Sequence, residues 1–148
     1  MYRYEDCGLS NIFLKDGYTE EETPWGLAIS VDDVEGLHLA IGMELVNSHD
    51  PLNGQEFRFL RKELGLSQKR FATMFGYSDQ MVAKWEKGQS DLPRTIDILI
   101  RMMYEENHSE TSKLSEILEA INELDRQDFE SENIQLCKKN GEWVCEAA

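Results

Sequence analysis

The chain has 148 residues, 41% of them hydrophobic, enough for one ordinary domain or two small ones around a buried core. Its apolar runs fall short of the roughly eighteen residues a spanning helix needs, and the opening Met1-Tyr2-Arg3-Tyr4-Glu5-Asp6 lacks the basic and apolar stretches of a secretory leader, so a cytoplasmic location without membrane contact is expected. A net charge of −14 excludes a uniformly basic scaffold, but the charge is uneven: −9 over residues 1–53, +1 over 54–108 and −6 over 109–148.

The first third reads as a small α+β domain over residues 1–52, with short strands and one helix. Asn11 to Leu14 is extended up to the turn signal Lys15-Asp16-Gly17. Tyr18 resumes an extended stretch that stops at Thr23-Pro24-Trp25-Gly26, and Leu27 to Val31 is a further strand. From Asp32 the period changes, because Val34, Leu37, Ile41 and Leu45 recur every three or four residues and mark the buried face of a helix reaching about Asn47. Asp32 and Asp33 suit its start, where free N–H groups favour carboxylates. Ser48-His49-Asp50-Pro51 breaks the pattern and places a boundary there.

Residues 53–108 read as a compact domain of four short helices. Asn53 and Glu56 have capping-box spacing, and Phe57, Leu60 and Leu64 form an apolar stripe that ends at Gly65. Ser67 caps a second helix carrying Phe71, Ala72 and Phe75, closed by Gly76. After the single residue Tyr77, Ser78 caps a third helix whose inner face holds Val82 and Trp85 and which Gly88 ends. Asp91-Leu92-Pro93 opens a fourth, with Ile96, Leu99, Ile100 and Met103 as its core stripe.

Residues 109–148 read as an amphipathic helix and a tail. Leu114, Ile117, Leu118, Ile121 and Leu124 form the stripe, opposite Glu116, Glu119, Glu123 and Asp125. Beyond Gln127, Asn140-Gly141 between alternating segments predicts a β-hairpin. Cys7, Cys137 and Cys145 cannot all pair within one chain and none belongs to a C-x-x-C, so a disulfide framework, a metal site and a cofactor are not expected.

The segment from Leu66 to Gly88 carries the functional signal. Ala72 suits a close helix crossing, Gly76 a left-handed turn between two helices, and Val82 with Trp85 seat the second helix on the first. With Ser67-Gln68, Ala72, Gly76, Trp85-Glu86 and Gly88 in this spacing, residues 54–106 resemble the Cro and lambda-repressor (XRE-like) type of helix-turn-helix. The flanks are similar to regulators related to the MqsA (YgiT-type) antitoxins, in which a β-containing N-terminal domain precedes such a module. The chain lacks their paired C-x-x-C zinc ligands, so the resemblance brings no zinc site with it.

The resemblance implies a mostly α, four-to-five-helix lambda-repressor-like DNA-binding domain whose recognition helix enters the major groove. Base edges would then face Asp79, Gln80 and Lys84, with Met81 near a thymine methyl or a sugar. Gln80 suits adenine, Lys84 guanine and Asp79 the cytosine amine. Gln68 would bond a backbone phosphate at a helix N-terminus, with Lys69, Arg70, Lys87 and Arg94 as phosphate neighbours. Arg61 and Glu86 match a partly buried ion pair that ties the third helix to the first, which is a structural assignment, and Trp85 reads as core rather than as a stacking platform. Asp79 also reads as an ordinary first-turn carboxylate, and His38 as a packed or half-exposed side chain.

No Gly-rich phosphate loop, H-E-x-x-H or nucleophile elbow is present, so an enzyme is not expected. The leading expectation is a sequence-specific transcriptional regulator, a repressor acting as a homodimer on double-stranded DNA, since one module reads only a half-site. Its dimer surface would be the N-terminal domain, the Leu114 to Leu124 stripe, or both. The alternative is an antitoxin that binds a basic toxin protein through Glu20-Glu21-Glu22 and Asp32-Asp33 and autoregulates its operon, although such acidic runs also serve as plain solvated faces. An acidic DNA mimic is disfavoured by the intact recognition-helix pattern.

Overall fold

The computed structural model describes residues 1–108, 116 and 133–145. In chain order these contain strands β1 (Tyr2–Arg3), β2 (Phe13–Leu14), β3 (Tyr18–Thr23) and β4 (Gly26–Val31), and helices α1 (Val34–Asn47), α2 (Gly54–Glu63), α3 (Gln68–Phe75), α4 (Asp79–Glu86) and α5 (Arg94–Asn107). Strands β5 (Leu136–Lys139) and β6 (Glu142–Cys145) follow. The amphipathic stripe from Leu114 to Leu124 lies outside the described residues, of which Glu116 is helical and exposed.

Helices α1 to α4 start where the sequence supplies a side-chain oxygen for the unpaired N–H groups of the first turn. Asp33 caps α1 by accepting from the Gly36 amide. The capping box of α2 is complete, with Asn53 Oδ1 accepting from Glu56 N (2.8 Å) and Glu56 Oε1 accepting from Asn53 N (2.9 Å). Ser67 and Ser78 cap α3 and α4. α5 begins after Pro93 without a side-chain cap.

The six strands form three separate antiparallel pairs. β1 and β2 pair Tyr2 with Leu14 and Arg3 with Phe13, so the expected Asn11 to Leu14 strand narrows to two residues held by the chain's own start. β3 and β4 form a six-residue hairpin turning at Pro24-Trp25. β5 and β6 turn through Asn140 (φ 53) and Gly141 (φ 80), the two left-handed positions that a tight hairpin loop requires and that Asn-Gly supplies.

One core runs through both the N-terminal segment and the helices. Phe57, Leu60, Phe71, Ala72, Val82, Trp85, Ile96, Ile100, Met103 and Tyr104 are buried together with Ile41 and Leu45 of α1 and with Tyr4, Leu9 and Leu52. The expected helix stripes hold with two differences. Val34 is 44% exposed instead of buried, because it lines the rim of a surface cavity beside His38, Glu63, Tyr104 and His108. Phe59 is buried although it lies off the α2 stripe, because the N-terminal segment covers a second side of that helix and brings His38 against its ring.

Polar groups at this junction are satisfied over long sequence distances. His38 links Tyr4, whose hydroxyl is hydrogen-bonded to Nε2 (2.8 Å), to Glu63, whose Oε1 accepts from Nδ1 (2.6 Å). Burial raises the Tyr4 phenol above its ordinary pKa, with neighbouring acidic groups adding to the shift. At the other end of α1, Asp97 accepts from the Leu52 amide (2.9 Å) and from Arg101 (2.6 Å), while Arg101 also bonds the carbonyls of Ser48 and Asp50. The segment from Ser48 to Leu52 is thereby stapled to α5.

Candidate nucleic-acid interface

The α3–α4 unit has the geometry that its small residues dictate. Gly76 is left-handed at φ 76 and its amide bonds the Ala72 carbonyl, which also accepts from Tyr77 N (2.9 Å). The chain then turns within two residues, and Ser78 Oγ accepts from Met81 N (3.2 Å) to start α4. Ala72 and Val82 are buried at the contact between the helices, where larger side chains would separate them. Trp85 lies edge-on against Phe57 (6.0 Å, 90°) and Tyr77 (4.8 Å, 75°), fixing the rotation of α4 about its axis.

That rotation decides which α4 residues meet solvent. Asp79, Gln80 and Lys84 are exposed along its outer side, and Lys87 is exposed just past its end. Asp79, the first residue of the helix that Ser78 caps, is exposed, and its Oδ1 accepts from the amide of Gln80 (3.1 Å). Met81 is half-buried and packs against the core.

Behind α4 lies a charged brace. Arg61 Nε and Nη2 donate to Glu86 Oε2 (2.6 Å) and Oε1 (3.0 Å), and Arg61 Nη1 donates to the Leu66 carbonyl (2.6 Å). The pair is bidentate and nearly dry, with 7% and 4% of the two side chains exposed. Gln68 is drawn into it, since its Nε2 donates to Glu86 Oε1 (3.0 Å). Gln68, expected as a phosphate ligand, therefore has one amide hydrogen committed to the brace.

Gln68 and Lys87 share the mouth of one surface cavity of about 380 Å³ with Arg58, Arg61, Ala83 and Glu86. Arg58, half exposed with Nε 3.8 Å from Glu86 Oε1, was not expected there. Its position three residues before Arg61 on α2, hence on the same helix side, is the signal that could have found it. Lys69 and Arg70 are exposed in the first turn of α3. Arg94 lies apart, lining a different groove with Arg101, Asp97 and the Ser48 to Leu52 segment.

Comparison with known proteins agrees with this geometry. Residues 57–96 match the helix-turn-helix family model. The match supports a DNA-binding transcription regulator of the XRE type. No curated protein and no solved structure matches the chain. Among the described residues, no helix is long and apolar enough to cross a membrane.

Proposed function

We propose that the protein is a sequence-specific transcriptional repressor that binds duplex DNA as a homodimer and reads the major groove with α4. The reading is carried by the outward row Asp79, Gln80 and Lys84 on a helix whose rotation is fixed from behind by Trp85 and the Arg61–Glu86 brace. Gln80 pairs with adenine N6/N7 and Lys84 with guanine O6/N7, while Asp79 accepts from cytosine N4 and Met81 offers a small apolar edge to a thymine methyl. Arg58, Lys69, Arg70 and Lys87 neutralise phosphates beside the groove, Gln68 bonds one through its side-chain amide, and Arg94 neutralises another from the start of α5. Each half-site spans one module, so two copies read sites about one helical turn apart, roughly 10 bp.

Selection of bound duplexes from a random pool, repeated with Gln80→Ala and Lys84→Ala, tests this reading. Each substitution should cost about 1–3 kcal/mol and relax preference at defined positions. An equal loss on every sequence would remove these side chains from base readout.

A second reading rests on the exposed acidic hairpin. Glu20, Glu21 and Glu22 on β3, with Asp32 and Asp33 just beyond β4, are all exposed, which suits capture of a basic toxin by an antitoxin. Co-purification with a basic protein encoded beside it would favour that role, which is compatible with DNA binding. Both roles are binding roles, and we assign the chain no catalytic activity.

A further inference from the structure

The β3–β4 hairpin has two edges of opposite character. The bond from Asp32 N to Gly17 O (2.8 Å) makes those directly opposed residues a hydrogen-bonded pair in the hairpin register. Alternation along the ladder then directs the backbone groups of Gly26, Ala28 and Ser30 inward to β3 and those of Leu27, Ile29 and Val31 outward. Among the described residues, nothing bonds these outward groups. The outer edge of β3 is guarded by Glu20, Glu21 and Glu22, whereas β4, Gly-Leu-Ala-Ile-Ser-Val, carries no charge and no proline.

We propose that the β4 edge pairs with the β4 edge of a second copy of this chain, antiparallel about a two-fold axis at Ile29. Side chains keep their face across such an axis, so residues of like parity must oppose each other, and only the outward residues have free backbone groups to share. Centring on Ile29 satisfies both conditions at once: Ile29 faces Ile29 of the second copy, and Leu27 and Val31 face each other twice. Their side chains all lie on one face of the combined four-stranded sheet. Charge selects this edge and this partner. Pairing through β3 would bring the glutamates of both copies to within one strand spacing, about 4.8 Å. Pairing through β4 leaves two further strands between them and sets Asp32 opposite Gly26 rather than opposite another acid. The inference supplies the surface for the two-copy reading of the proposed function but does not need DNA for its test.

The test uses the full chain with Cys137 and Cys145 replaced by Ser, followed by light scattering and oxidative cross-linking. Ala28→Cys and Ser30→Cys in the same chain should give a disulfide-linked dimer, because these positions face each other across the seam as a non-hydrogen-bonded pair with Cα atoms about 4.5 Å apart, within disulfide range. Ala28→Cys alone, which then faces Ser30 of the second copy, should not. Ile29→Lys should weaken self-association by at least about tenfold by setting two cations face to face, while Ile29→Val keeps it. A chain that stays monomeric at submillimolar concentration would overturn the proposal. So would a dimer that fails to cross-link through the Ala28→Cys, Ser30→Cys pair, for instance one seated on the exposed Ile98 and Met102 of α5. In either case, retained operator binding by the same sample would leave the DNA-binding reading standing.

Discussion

Glu86 shows how one buried charge serves both stability and the site. Its carboxylate accepts two bonds from Arg61 and one from Gln68, so most of its acceptor capacity is used where water cannot replace the partners. Removing it leaves the Arg61 guanidinium buried with only the Leu66 carbonyl and releases the Gln68 amide. Glu86→Ala should therefore cost about 3–5 kcal/mol in urea unfolding, the penalty of an uncompensated buried charge rather than the worth of the pair. Replacing both partners with apolar residues of similar volume should cost much less, and a double-mutant cycle separates the two cases.

Among the helices, orientation is set by close backbone approach as much as by side-chain packing. A methyl group added at Gly54, in the first turn of α2, would meet the backbone carbonyls of Trp85 and Glu86 at the end of α4. Backbone on both sides leaves no side chain to give way, so Gly54→Ala must push α2 and α4 apart. We expect a loss of about 1–3 kcal/mol in thermal or urea unfolding, as for other overpacked contacts. DNA affinity should fall further than the lost stability explains, because α4 is the element displaced. A variant that weakens unfolding resistance but binds operator normally would show that the α2 contact does not orient α4 for the proposed readout.

Over the whole molecule, charge is segregated by position in the chain. The helix-turn-helix region is near neutral and the segments on either side are acidic, so long-range attraction for a polyanion is weak and binding depends on close docking. The salt dependence of operator affinity should accordingly be shallow, with a log K against log salt slope no steeper than about −8. A steeper slope, measured by titration over a range of salt concentrations, would mean about nine or more neutralised phosphates and a larger basic footprint than the exposed cations around α3 and α4 supply.

Sequence alone determined what depends on neighbours a few residues away. The caps at Asn53, Ser67 and Ser78, the left-handed Gly76 and the Asn140-Gly141 turn are local chemistry, and each forms where its residues stand. The same locality made the outer row of α4 legible, since Val82 and Trp85 fix which side faces away. Tertiary structure alone decided the rest. Tyr4, Leu9, Phe59 and Tyr104 are buried by surfaces that only exist once the N-terminal segment lies on α2 and α5. The bond from Leu52 to Asp97 spans 45 residues, and the commitment of Gln68 to Glu86 spans 18. No window of sequence contains both partners of such contacts, and burial by a distant element carries no periodic signal in the residue it buries.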